Sequence, residues 1–543
     1  MTDLEPEHTF VDRLVVKLTL TLAGTTIEVP AGSIKNFRIE HACHGFSASI
    51  DWWFVCLKSE AEDELFAKFA TLGLVETTLT IDRAFDKVGA SAEPLVLKGL
   101  VRRKRVLERS IPGMAGEPVL HRHYFVEIAD RAQVLWRQHR PIALYVDKTL
   151  KDVLEDNKPK GVTIKYSWAP LTRKHAVLSL PLAADGRASF YDYVCWLLRT
   201  YHGGLFYDAD QDRYELVDSK LSFATTAPNI EDVRTLAGHF PRTPRDEVNV
   251  LNGWSEAKTP SKTLANRHGV SGVRRDFLMV SSVSADMDAR TTLERKRHEA
   301  AEPGVHLLFS RYPSVTFKPT MIAEFAPAEG FSDKLLQHGK KYRVTRLSIA
   351  ARAVRQEATD DDGYDTNAYE MTYAAELELK SDSRFLLPPY VSPHWPVHVE
   401  GKIVSETGKT TEGTYQYYED AATSLAHYKV EVPLFNKQKV IVAYHAGLLS
   451  GHFYFPAYRD ARVRLALEFN RAWISRFLDW RPGARLPQNT QGNHLLFGKQ
   501  ATDQTSMAHT YVEAKPQLRV ARTNKQDKQL IEVSEGTITF RTE

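Results

Sequence analysis

From Leu14 to Leu22 every second residue is apolar (Leu14, Val16, Leu18, Leu20 and Leu22), with Lys17, Thr19 and Thr21 between them, which predicts a strand with one buried and one wet face. Strand-like runs recur at 77–81, 94–101 and 124–128, and several strands at such short spacing predict an antiparallel barrel or sandwich. Two helices interrupt them. Asp147 stands as a candidate N-cap before Leu150, Val153 and Leu154, which share one helical face. Ser189 can cap a second helix whose Phe190, Tyr193, Val194, Leu197, Leu198 and Tyr201 keep a 3.6-residue stripe, with Gly203 as its left-handed stop. A hairpin over 204–207 and 214–217 follows, turning at Asp208–Asp212.

The pattern weakens between 220 and 340, where one helix is expected over 292–301, ended by Pro303 and Gly304. Strands return at 341–350 and 369–379, either side of the acidic stretch Asp360-Asp361-Asp362. The segment Phe385-Leu-Leu-Pro-Pro-Tyr-Val-Ser-Pro-His-Trp-Pro396 is proline-rich enough to be extended, and is the best linker in the chain. Beyond it, strand signals at 399–404, 428–433, 439–444, 453–455 and 463–469 suit a small OB-like barrel. The tail from about 485 is polar and ends in two alternating runs, Ile531/Val533 and Ile538/Phe540.

Length sharpens this picture. At 543 residues, 43% hydrophobic and 26% charged, the chain is globular and long enough for several domains. Lys and Arg exceed Asp and Glu by only three (71 against 68), so net charge predicts no general attraction to nucleic acid or to an anionic membrane surface. The first residues lack the order of a secretory signal, no stretch approaches a membrane span, and three cysteines (Cys43, Cys56, Cys195) fit a reducing compartment. The expected location is the cytoplasm during assembly, and no stable membrane insertion is expected.

Local motifs for chemistry are sparse. Thr407-Gly-Lys-Thr410 lacks the earlier glycine of a phosphate loop, since Ile403 stands there. His121 and His123 share a strand face, and His41, Cys43 and His44 cluster in sequence, but neither set offers four zinc ligands. No Gly-x-Ser-x-Gly elbow occurs, and no paired carboxylates are nominated. The basic run Arg102-Arg-Lys-Arg105 follows an apparent strand and reads as a solvated face or a site for an acidic partner. Tyr454, Phe455, Tyr458, Arg459, Arg462 and Arg464 are of the types with which OB domains stack single-stranded bases, and equally of the types that fill a core. No catalytic residue, metal or cofactor is expected.

Three stretches carry a family resemblance. Tyr124-Phe-Val-Glu-Ile-Ala-Asp-Arg-Ala-Gln-Val-Leu-Trp136, then the helix from Ser189 with Gly203-Gly-Leu-Phe-Tyr207 and Tyr214-Glu-Leu-Val-Asp218, then Arg384-Phe-Leu-Leu-Pro-Pro389 with Val399-Glu-Gly-Lys-Ile-Val404 follow one order. Gly451-His-Phe-Tyr-Phe-Pro456 and Asn493-His-Leu-Leu-Phe-Gly498 continue it. In that order they resemble the VgrG spikes of type VI secretion and the tail hub and spike of contractile phages. Ser424-Leu-Ala-His-Tyr428 replaces the family's Gly-Arg-Val pattern, and no Val-Gly repeats follow.

The resemblance implies a mainly β fold: two related antiparallel β-barrel hub subdomains with small helical insertions near 148–157 and 189–202, an OB-fold barrel, and a short C-terminal β-helix or prism stub, assembled as a trimer. The corresponding domains are 1–390, 391–484 and 485–543. It implies a non-enzymatic spike that joins a hexameric inner tube to a puncturing tip and delivers effectors or other cargo, with baseplate components as neighbours. A PAAR-like tip protein is expected beyond the shaft, and Ile531, Val533, Ile538 and Phe540 are the expected shaft- or tip-facing residues. The alternatives are the spike of an extracellular phage-tail-like particle or phage tail and, more remotely, an OB-fold single-strand nucleic-acid-binding protein.

Overall fold

The computed structural model describes residues 9–56, 62–85, 93–112, 118–221, 223–327, 331–404, 418–420, 425–443, 458, 460–478, 484–487 and 489–543. The protein is mainly β, as its alternation predicts. Its contacts divide it into two compact units: 1–141, 150–173 and 185–393 form the first, and 142–149, 174–184 and 394–543 the second.

The first unit is organised by a 13-stranded sheet. Eight of its strands close a ring in the order Lys341–Ala353, Ile34–Ala42, Gly45–Cys56, Pro118–Ala129, Leu95–Pro112, Val75–Arg83, Phe10–Leu22 and Asn367–Leu379, the last pairing back to the first. Closure leaves no free edge in the ring. The alternation at the N-terminus explains its inside: Leu14, Val16, Leu18, Leu20 and Leu22 are all buried. The two long strands 341–353 and 367–379 outrun the ring and carry further strands, Ile322–Glu324 on one and Gly304–Phe309 on the other, so a second, open half-barrel shares them.

The long Leu95–Pro112/Pro118–Ala129 hairpin takes in Arg102–Arg105 within a strand rather than after one, because both partners continue the antiparallel ladder beyond residue 101. A buried ion pair holds its underside. Arg122 donates to Asp63 Oδ2 at 3.1 Å with both side chains sealed from solvent, and Asp63 also caps the helix Glu64–Phe69 through the amides of Leu65 and Phe66.

The helix Phe190–Tyr201 starts as expected, with a reciprocal capping box between Ser189 and Asp192. Its stop differs. His202, at φ 54°, takes the left-handed position, while Gly203 is required for space: a Cβ there would lie 2.6 Å from the Trp168 ring. Asp147 is not a cap either; it ends up in the strand Ile142–Thr149, and the helix begins at Leu150 with Leu150, Val153 and Leu154 buried. The expected helix over 292–301 runs over Ser284–Arg297, so polar Asp286 and Asp288 belong to it despite the weak apolar stripe.

The linker is irregular but tethered. The Phe385 ring packs against Gly204, where a Cβ would approach it to 2.3 Å, and the Val391 amide donates to Asp192.

In the second unit five strands close on themselves: Val397–Val404 pairs with Arg462–Leu467, that with Ala472–Phe477, then Gln438–Ala443 in parallel, then Leu425–Val432, which returns to the first. Ile403, Val430, Val440, Val442, Val463 and Leu465 fill it, and Leu144 and Val177 of the strands Ile142–Thr149 and Lys174–Pro181 join the same core. Ala472–Phe477 escaped the sequence reading because Arg471, Ser475 and Arg476 interrupt its apolar pattern. The expected strand at 453–455, Tyr444 and the segment 451–456 lie outside the described residues.

Candidate assembly interface

The C-terminal residues form a five-stranded antiparallel meander: Asn493–Gln500, Asp503–Val512, Lys515–Asn524, Asp527–Ser534 and Thr537–Thr542, each paired with the next. The turns are tight. Glu513 and Ala514 both take positive φ between Val512 and Lys515, and Gly536, at φ +72°, helps close the last hairpin, the conformations that match the twist of paired strands.

Register then sorts the side chains. Leu495 faces Met507, Met507 faces Val520, Val520 faces Ile531, and Ile531 faces Phe540; one step along, Leu518 faces Val533 and Val533 faces Ile538. Because strand side chains alternate, all eight lie on one face of the sheet, while Arg519, Lys528, Glu532, Thr539 and Arg541 occupy the other. Among the described residues nothing covers the apolar face. Ile531 is 42% exposed, Val533 38%, Ile538 65% and Phe540 75%.

Such a face is energetically costly in water, since each Å² of apolar surface removed from it is worth about 25 cal/mol. A contiguous row of this length marks an interaction surface rather than scattered surface hydrophobics. The outer strands Asn493–Gln500 and Thr537–Thr542 each pair on one side only among the described residues, so the sheet also offers two unpaired edges. Four of the row, Ile531, Val533, Ile538 and Phe540, are legible as alternating runs. Leu495, Met507, Leu518 and Val520 do not stand out: Leu495 stands in the unalternating run Leu495-Leu496-Phe497, Met507 is isolated, and Leu518-Arg519-Val520 is a single short alternation between polar residues.

The other candidate residues belong to other sheets. His121 and His123 do share a face, where His123 Nε2 lies 2.9 Å from Asp51 Oδ1 and its ring stacks on Trp53. His41 is buried with neither ring nitrogen hydrogen-bonded, and burial pushes its pKa down to about 3; burial likewise pushes His44 down to about 4 and the Cys43 thiol up to about 12. Among the described residues no group of three or more His, Cys, Asp or Glu is arranged to hold a metal ion, and no helix is long and apolar enough to cross a membrane.

On the five-stranded barrel, Arg462 pairs with Glu400 at 2.7 Å and Arg464 donates to Ser475 at 3.0 Å. Tyr454, Phe455, Arg459 and the stretch 407–410 lie outside the described residues.

No family model matches the sequence, and no curated protein matches it. The fold has solved counterparts. A chain of the PdpA–VgrG complex in its lidless form aligns with TM-score 0.72 at 11% identity, with 98% of this chain and 98% of that chain covered. In the half-lidded Francisella PdpA–VgrG complex the TM-score is 0.73 at 11% identity, covering 98% of this chain and 88% of that one. A 43 kDa tail protein of prophage MuSo2 from Shewanella oneidensis matches 66% of this chain and 98% of its own length at 10% identity, with TM-score 0.40. At these identities the likeness is one of fold.

Proposed function

We propose that this chain is the hub-and-spike subunit of a contractile injection machine of the type VI or phage-tail kind, working as a homotrimer and not as an enzyme. The observation that carries the reading is the apolar row from Leu495 to Phe540, left exposed by the described residues of a single chain and suited to burial by other copies. Three meanders with their apolar faces turned inward make a closed shaft with a dry core, and their outer faces, with Arg519, Lys528, Glu532 and Arg541, remain wet. The likeness in fold to a chain of the PdpA–VgrG complex supports the same assignment.

In this reading the ring-closed sheet of the first unit is the tail-hub part and meets a hexameric inner tube and baseplate components, while the five-stranded barrel, with the strand order of an OB fold, leads into the shaft. A PAAR-like protein caps the shaft. The chain is made in the cytoplasm and leaves the cell with the contractile apparatus, carrying effectors or other cargo. Its physical task is stiffness under load, which closed sheets and buried ion pairs such as Arg122–Asp63 serve. Electron microscopy of the purified full chain tests it: class averages with threefold symmetry and a narrow shaft are expected, and isolated single-chain particles would contradict it.

A further inference from the structure

The basic run at 102–105 has no part in the shaft. In the strand Leu95–Pro112 side chains alternate, so Arg103 and Arg105 join Leu107, Arg109 and Ile111 on one face, opposite Glu127, Phe125, His123, His121 and Val119 of the neighbouring strand. Trp53 lies across from His123 on the next strand. Arg105 sits 5.3 Å over the Phe125 ring and Arg109 5.1 Å over Trp53, while Leu107 between them is 46% exposed. Arg102 and Arg103 share Glu127. Arg105 and Arg109 meet no carboxylate among the described residues, and a guanidinium held over an aromatic ring still has N–H donors for an anion.

The complementary charge is on the same ring. The connector between Lys341–Ala353 and Asn367–Leu379 carries Glu357, Asp360, Asp361, Asp362 and Asp365 against the single base Arg355. It is fixed to the ring: the Gly32 amide donates to the Tyr364 carbonyl at 2.8 Å, Lys35 Nζ to the Asp360 carbonyl at 2.8 Å, and Ser33 Oγ to Asp362 at 3.0 Å. Tyr364, 65% exposed, stands among the exposed carboxylates of Asp362 and Asp365.

Position relates the two patches. The ladder runs level from Arg352 through Asn36, Asp51 and Phe125 to Arg105, so the acidic connector just beyond Ala353 and the arginine face stand at the same end of the ring, four strands apart among eight. Two unlike, complementary patches on one ring are what a head-to-tail contact between copies needs.

Building on the trimeric reading above, we propose that the acidic connector 354–366 of one copy seats on the Arg105–Arg109–Trp53 face of the next. Asp362 and Asp365 pair with the two guanidiniums, and Tyr364 covers Leu107. A protein loop fits this surface better than a polyanion does, because exposed Leu107 and Ile111 lie between and beside the arginines.

The test uses the full chain, whose native Cys43, Cys56 and Cys195 are buried and spared by a thiol reagent. The double variant Leu107→Cys/Tyr364→Cys, confirmed folded by circular dichroism, is treated with a short bis-maleimide. A ladder to covalent dimer and trimer is expected, absent from either single variant. Adding Arg105→Glu/Arg109→Glu should cut crosslinking by about tenfold, and adding Asp362→Lys/Asp365→Lys as well should restore it. In the chain without added cysteines, the same reversal should raise the concentration at which trimers dissociate on dilution, by about tenfold.

A trimer by light scattering that gives no ladder and ignores the charge reversals overturns this contact and leaves the trimeric reading standing. A monomer overturns both. Binding of single-stranded DNA that depends on Arg105 and Arg109, without a ladder, overturns the contact in favour of a polyanion.

Discussion

Ile531 stands directly opposite Phe540 in the last hairpin of the chain, and both side chains face solvent on the apolar side of the tail sheet. Cross-strand apolar pairs stabilise a sheet by roughly 0.2–1 kcal/mol each, far less than burial of the whole row against further copies would supply. The pair therefore separates assembly from folding.

Phe540→Asp should leave the fold of the single chain intact, since exposed positions tolerate substitution within about 0.5 kcal/mol. In the assembled shaft it would bury an unpaired carboxylate. The expected result is a loss of trimer by light scattering with an unchanged far-ultraviolet circular dichroism spectrum.

The ion pair beneath the long hairpin behaves differently. Arg122→Met leaves Asp63 sealed from solvent without its cation, still accepting from Tyr124 and from the cap amides of Leu65 and Phe66. Breaking a buried pair by removing one partner costs about 3–5 kcal/mol. Urea denaturation should show that loss for Arg122→Met, and a smaller one when Asp63→Asn is combined with it.

His41 and His44 predict an acid sensitivity of the first unit. Burial holds both folded-state values below the usual 6.5, at about 3 and about 4. Above pH 6.5 they are neutral whether the chain is folded or not. As the pH falls below 6.5 the unfolded chain takes up protons that the folded chain refuses, so stability drops by up to about 1.4 kcal/mol per pH unit for each histidine. Melting temperature measured from pH 7 to pH 4.5 should fall, and His41→Leu should flatten the slope by about one proton's worth; an identical slope in the variant would contradict the assignment.

The acidic connector rests on Gly32. A Cβ there would sit 1.7 Å from the Asp361 carbonyl oxygen, a backbone atom that cannot move aside without shifting the loop. Gly32→Ala should therefore displace the connector and destabilise the ring by about 1–3 kcal/mol. Hydrogen exchange should show the effect concentrated at Tyr364 and the Gly32 amide.

Much of the architecture was legible where one face of an element is buried and the other wet. Leu14 to Leu22 alternate because they line a closed ring, and Ser189 ahead of a 3.6-residue apolar stripe announces its helix, so both follow from spacing alone. Asp147 misled because a capping residue type says nothing about its backbone, which the pairing of Ile142–Thr149 with Lys174–Pro181 fixes instead. Gly203 misled for the reverse reason, being needed for the Trp168 contact and not for a turn. The assembly surface was half legible. Phe540 and Ile538 alternate within one strand, but Met507 joins Val520 only through a cross-strand register that single residues do not encode.

The most direct measurement is the mass of the purified full chain in solution by multi-angle light scattering. The assembly account predicts about three times 61.6 kDa, held on dilution through the low micromolar range. A stable species of 61.6 kDa, with the Leu495-to-Phe540 face still exposed, would contradict it.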